Sequence, residues 1–325
     1  MHTRNSALDY LKALLIAFVV IWHARPWLLT QSPLFLPKAL LGFFYFNITT
    51  LAVPTFLLVS LHLYHRHRDS APGYFRKRIL RLGQVYLFWM GAQWLFAWAV
   101  TGQLAPIDIR FLMDGGPGAP YVGGSVFYYL ADLLLLTLLE EAYARLPEAS
   151  RPLLGWIMAG FSLAYIPVAQ IFHLSGTNYL EVFILYVPAA YYATTLRRYR
   201  HAFALGWLVF SCLESFLIAT FDVYMTPYIR WGNVLGALAL MGYALSFTPP
   251  PSRIAETLSR YSLGIYAVHK MALCLGYILL ASLALPQAQQ KHSNPQLLGL
   301  FLFTILGTWA MLRVMNSTPL RRYIR

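Results

Sequence analysis

Charge is scarce in this chain of 325 residues: Asp, Glu, Lys and Arg make up 11% of it, against about 25% in soluble domains. A soluble enzyme of this length is excluded on that ground. Cysteine is scarcer still. Cys212 and Cys274 alone cannot form a disulfide framework, and both lie in apolar stretches where a thiol is an inert packing residue. Disorder is excluded by 9 Trp, 22 Tyr and 21 Phe, which demand burial. Catalytic signatures are missing as well: there is no serine-nucleophile elbow, no phosphate-loop lysine and no His or carboxylate pairing at zinc spacing. No internal repeat is visible, and the one low-complexity tract, Pro249-Pro250-Pro251, reads as a stiff turn.

What is abundant is apolar side chain, 58% of the residues, with a mean hydropathy of +0.55. The composition predicts an all-α, polytopic membrane protein without a sizeable soluble domain. Hydrophobic runs bounded by charge, Pro or Gly give ten candidate transmembrane helices: roughly 9–29, 37–62, 79–100, 122–141, 152–173, 178–195, 202–220, 230–247, 260–284 and 296–315. The first lacks a small-residue cleavage site and reads as a retained helix rather than a signal peptide.

Charge tests that count. With a cytoplasmic N terminus, nineteen of the 25 Lys and Arg fall in inward segments and five in outward loops (Arg25, Lys38, Arg110, Arg230 and Lys291). Lys270 lies inside the ninth run. The bias predicts both termini in the cytoplasm, and it explains the +13 formal net charge by orientation rather than by nucleic acid. The longest outward loop, 101–121, carries Gly115-Gly116-Pro117-Gly118 and reads either as a flexible lid or as a plain connector.

Ionisable side chains inside a bilayer are costly and are functional candidates by default. Lys12 and His23 stand eleven residues apart on the first helix. That is three turns plus roughly 20°, so both face one way, separated by roughly 16 Å along the axis. A cation at a mouth and an imidazole deep inside suggest a lined cleft, and imidazole suits proton transfer near neutral pH. Packing is the competing role for His23. Arg78 and Arg81, three apart at the entry of the third run, form a guanidinium pair suited to phosphate, or equally a juxtamembrane cluster touching anionic lipid.

A further group of candidates enters the ninth run. Ser262, Tyr266 and His269, at spacings of four and three, make one polar stripe; Lys270 points away from it, as a snorkelling or paired lysine. Asp132, Glu181 and Glu214 read first as structural hydrogen-bonding groups and otherwise as counter-ions for Lys270 or Lys12.

These residues resemble the motifs of the integral-membrane acyltransferase-3 family. Leu8-Asp9-Tyr10-Leu11-Lys12…His23 is similar to its first-helix motif, a basic residue, ten positions, then His. Val53-Pro54-Thr55-Phe56-Leu57-Leu58-Val59-Ser60 resembles its second-helix signature, and Arg78-Ile79-Leu80-Arg81 its Arg-x-x-Arg motif. Ser125-Val126-Phe127-Tyr128-Tyr129-Leu130 and Ser262-Leu263-Gly264-Ile265-Tyr266…His269 follow in order. Three positions depart from the pattern: Lys12 stands where the family usually has Arg, Leu61 where it has Gly, and Gln84 where it has Pro.

The resemblance implies a single integral-membrane domain over residues 1–325, a multi-pass protein of the bacterial cytoplasmic (inner) membrane. It implies O-acyl transfer, acetyl-CoA or another acyl-CoA being the donor and a glycan or glycoconjugate hydroxyl the acceptor. His23 would be the general base, Lys12, Arg78 and Arg81 the donor-binding cations, and Asp9, Ser262, Tyr266 and His269 further site residues. No metal is expected. A glycan or lipid transporter using His23 and the carboxylates as a proton path is the alternative.

Overall fold

A computed structural model describes residues 5–25, 38–174, 179–221, 225–283 and 294–325, and the side chains of all of these except 38, 39, 110 and 294. Among the described residues the regular structure is helical. It comprises α1 (Ser6–Ala24), α2 (Lys38–Asn47), α3 (Ala52–His67), α4 (Tyr74–Thr101), α5 (Ile109–Asp114), α6 (Tyr128–Arg145) and α7 (Arg151–Ile171). Three short helices follow, α8 (Leu180–Phe183), α9 (Tyr186–Tyr191) and α10 (Ala193–Arg198). Then come α11 (Arg200–Phe221), α12 (Trp231–Ala244), α13 (Arg253–Ser282) and α14 (Asn294–Asn316).

Each of the ten apolar runs contains helix. Among the described residues six stretches are long and apolar enough to cross a membrane: Ser6–Ala24, Leu40–His67, Arg151–Ile171, Arg200–Phe221, Arg253–Ser282 and Pro295–Asn316. The others fall short for visible reasons. Gln84 and Gln93 dilute α4, four charged residues interrupt α6, and α12 has only 14 residues.

Burial sorts the helices. In the most apolar window of Leu40–His67, 78% of residues are buried, against 11% in Arg200–Phe221. α3 is therefore the axis of the bundle, with α1, α6, α9 and α12 against it and α13 along α1. α7, α11 and α14 lie outside and turn Trp156, Phe161, Phe216 and Trp309 outwards, a surface that suits hydrocarbon. Cys274 is buried as expected, but Cys212 sits exposed on α11, because that helix presents most of its surface outwards.

Two interruptions lie deep in the bundle. α2 and α3 are separated by a short 3₁₀ turn, Thr49–Leu51, that exposes backbone groups. Arg230 braces the α2 end just before it: its Nη1 donates to the Phe46 carbonyl at 3.0 Å and its Nη2 to the side-chain Asn47 Oδ1 at 2.6 Å. Its Nε donates to Glu214 Oε2 at 3.1 Å. Arg230, assigned from the sequence to an outward loop, does precede α12 outside any helix, but its side chain is buried. It is a buried side chain bracing a broken helix, so the irregular backbone there is held by protein groups. The pair also removes Glu214 from the candidate counter-ions of Lys270 and Lys12. The second interruption divides 178–195 into α8, α9 and α10, and Val182, Phe183, Tyr186 and Val187 there are fully buried.

The loop after α4 is packed rather than loose. Gly115 adopts φ 79°, and a Cβ there would strike the Phe127–Tyr128 backbone. Ser125 Oγ donates to the Gly115 carbonyl at 2.7 Å, and Gln93 Nε2 donates to that of Pro117. These contacts fix Gly124–Phe127 against the bundle, where the site needs a wall.

Candidate active site

Two cavities lie along the face of α1. The wide one, about 710 Å³, is lined by the start of α1, the end of α3, the start of α4 and the start of α13. Those ends meet because successive long helices run antiparallel. Lys12, Arg78 and Arg81 all line it, as do Asp9, Ser262 and Tyr266. Sequence reading missed three more cations in the same wall, Arg66, Arg260 and Arg325. Arg66 and Arg260 stand at helix ends like many surface arginines, and Arg325 arrives through the C-terminal segment, so no local pattern marks them.

Each cation is held differently. Arg78 is half-buried, and its Nε is enclosed without a hydrogen-bond partner. Arg81 lies 5.9 Å from the Tyr323 ring and donates to the main-chain oxygen of Arg325 at 3.4 Å. Arg260 pairs with Glu256 at 2.9 Å. Asp9 accepts a hydrogen bond from Ser259 Oγ at 2.6 Å, tying α1 to α13. Ser262 Oγ donates to the Ser259 carbonyl at 2.9 Å. With six cationic side chains and one side-chain carboxylate, Asp9, among the described residues of its lining, the cavity suits a polyanion.

The second cavity is small, about 210 Å³, and His23 lines it from the last turn of α1. Its walls come from distant parts of the chain: Thr49, Ala52 and Val53 at the α2–α3 break, Gly124–Val126, and the tyrosines 128, 179 and 228. Tyr228 and Tyr179 meet edge to face at 5.0 Å between ring centres, and Tyr128 and Tyr179 at 5.3 Å. Here the loop after α4 contributes its last residues as a fixed wall.

Tyr266 lines both cavities. Its hydroxyl donates to the Val126 carbonyl, and its ring stands 5.2 Å from that of Tyr129. It is the partition between the spaces. His269, one turn on, is fully buried and lines neither. Its Nδ1 donates to the carbonyls of Tyr266 at 2.7 Å and Ile265 at 3.1 Å, which leaves Nε2 as the bare ring nitrogen, buried and unpartnered. The His269 ring lies 5.0 Å from that of His23. The stripe read from the sequence is therefore divided: Ser262 and Tyr266 face cavity space, while His269 backs onto His23.

Lys270 corrects an expectation. It neither snorkels nor meets a carboxylate among the described residues. It lines the small cavity with His23, 3% exposed, and its Nζ donates to the Gly124 carbonyl. Asp132 and Glu181 line neither cavity. No group of three or more His, Cys, Asp or Glu converges to hold a metal ion among the described residues.

The arrangement sets a wide cationic chamber beside a small one with an imidazole in its wall, Tyr266 standing between them. A family model described as an acyltransferase domain matches residues 5–313, nearly the whole chain. No curated protein and no solved structure matches it, so family membership rests on that model. The chain belongs to the acyltransferase-3 family of membrane acyltransferases.

Proposed function

We propose that the protein moves an acyl group, acetyl from acetyl-CoA, across the cytoplasmic membrane of a bacterium onto a hydroxyl of a glycan or glycoconjugate. The observation that carries this is the pairing of cavities at Tyr266, one cationic and one holding His23. The whole chain acts as one domain of ten membrane passes, with both termini and the cationic chamber on the cytoplasmic side.

In this reading Arg78, Arg81 and Lys12 hold the phosphates of the donor. Guanidinium groups can bind phosphate oxygens in pairs, whereas the lysine contributes a point charge. The pantetheine arm follows the α1 face past Tyr266, the roughly 16 Å between Lys12 and His23 being of the length such an arm spans. At the far end the acceptor hydroxyl gives its proton to His23 as its oxygen attacks the thioester carbon. The carbon–sulfur bond then breaks, and the departing thiolate takes that proton back from the imidazolium. An ester and free CoA leave, and His23 is restored. His269 positions His23 from behind, its own tautomer fixed by two carbonyls. Asp9 and Ser262 shape the donor chamber.

The test is release of CoA from acetyl-CoA by the purified protein in detergent, with and without an envelope-glycan extract. Extract-stimulated release in the wild type, lost in a folded His23→Ala variant, is the expected result. No release, with neither CoA nor acetyl-CoA raising thermal stability, would overturn the reading in favour of transport. Equal release from both proteins would remove His23 as the base.

A further inference from the structure

We propose that Lys270 is a catalytic residue of this transfer, the group that holds the negative charge on the carbonyl oxygen while the tetrahedral intermediate exists. The inference rests on the acyl-transfer reading above and completes its chemistry, which otherwise lacks a group for that charge.

The argument begins with cost. A desolvated ammonium ion is expensive, by several kcal/mol even after relaxation, and buried lysines are ordinarily paired with a carboxylate. Lys270 is 3% exposed, and its recorded partner is a neutral carbonyl, that of Gly124. Among the described residues, none of those lining the small cavity is Asp or Glu. The nearby Arg25 adds charge of the same sign. The fold therefore keeps a positive charge in a buried chamber with no anion among the described residues to balance it. An ammonium has three N–H bonds, and the Gly124 contact takes one. Two remain for a ligand.

The chamber's contents decide what that ligand is. His23 and Lys270 share a space of about 210 Å³, which holds the reacting carbonyl, the attacking oxygen and little else. As the acceptor oxygen bonds to the thioester carbon, the C=O π pair moves onto the carbonyl oxygen, and the hydroxyl proton passes to His23. The new anion sits in the field of Lys270. When the C–S bond breaks, the oxygen returns its pair to the carbonyl, and the thiolate takes the proton from His23. Lys270 keeps all its protons throughout. Its interaction with a neutral carbonyl is weak and with the oxyanion strong, so it stabilises the transition state selectively. The Gly124 carbonyl aims the side chain, and the packed loop behind Gly115 holds Gly124 in place.

The experiment compares wild type, Lys270→Met, Lys270→Gln and Lys270→Arg as full-length protein, reading CoA release from acetyl-CoA with the glycan extract as acceptor. CoA-induced thermal stabilisation reports folding and donor binding. The expected result is a fall in kcat of roughly 10²–10³-fold for Met and Gln. KM for acetyl-CoA and the stabilisation should stay at wild-type values, and Arg should restore part of the rate. Wild-type kcat in folded Met or Gln variants overturns the proposal, and a raised KM for the extract alone would reassign Lys270 to an anionic group on the acceptor. Loss of CoA-induced stabilisation in both neutral variants overturns it in favour of a structural role. Absence of CoA release from the wild type overturns the acyl-transfer reading itself, and this inference with it.

Discussion

The two cavities are built on opposite principles. The wide one gathers charge: six cations from five separate stretches meet where helix ends crowd together, several of them exposed and none required to sit to within a fraction of an ångström. The small one gathers geometry: one imidazole, one ammonium, tyrosine rings and backbone carbonyls, drawn from six stretches of the chain and fixed by packing. Binding a phosphate-rich anion tolerates redundancy, because long-range attraction sums over charges. Transferring a proton and holding an oxyanion do not, because both fall away within an ångström of misplacement. Substitutions in the small cavity should therefore cost turnover, and those in the wide one affinity.

The largest effect should come from His23→Ala. Removing a general base costs roughly 10²–10⁴-fold in rate. It should leave CoA-induced thermal stabilisation intact, since the cations lie at the other end of α1. A variant that lost donor binding along with turnover would show that the cavities are not separable. Glu214→Ala sharpens the point from outside. Glu214 lines neither cavity, yet it pairs with Arg230, which braces the α2–α3 break, and Thr49, Ala52 and Val53 beside that break line the small cavity. Breaking a buried ion pair costs about 3–5 kcal/mol. Thermal unfolding in detergent should show that loss, and in the surviving folded fraction turnover should fall further than donor affinity.

How far the site could be read from the sequence follows the same division. Lys12 and His23 lie on one helix, so an eleven-residue spacing fixes their relation with no tertiary knowledge. Arg78 and Arg81 are neighbours for the same reason. The ten apolar runs are legible because each holds helix. Lys270 was misread because its neighbour across space, Gly124, is 146 residues away, and no helical-face argument can reach it. The burial of Arg230 was not legible because it bonds Asn47, 183 residues earlier, beside the 3₁₀ break. The Ser262–Tyr266–His269 stripe was legible as a stripe, but its division between cavity and packing depends on α1 lying beside it.

In the wide cavity the expected effects are smaller. Arg78 is the best placed of its cations, half-buried with an enclosed and unpartnered Nε. A hydrogen bond to a charged group contributes about 1.5–3 kcal/mol, so Arg78→Ala should raise KM for acetyl-CoA by roughly 10-fold or somewhat more and leave kcat near wild type. S-acetylpantetheine, which lacks the nucleotide phosphates, should be used equally well by variant and wild type. Equal losses on both donors would place Arg78 on the arm rather than on the phosphates.

The smallest effect belongs to Arg325. Its guanidinium is exposed and already donates to Tyr261 Oη at 2.9 Å and Asn316 Oδ1 at 2.5 Å, so its contribution to a bound anion competes with those bonds and with solvent screening. It also lies beyond the residues that the family model matches. What it does besides is structural: its main-chain oxygen accepts from Arg81, and the Tyr323 ring before it stacks on Phe88 at 3.9 Å. Replacing the side chain alone leaves those contacts in place. Arg325→Ala should therefore change KM for acetyl-CoA by less than about 3-fold, and less still at high salt. A change as large as that of Arg78→Ala would mean that the C-terminal segment closes the donor chamber as part of the phosphate site, and the redundancy argued for the wide cavity would not hold.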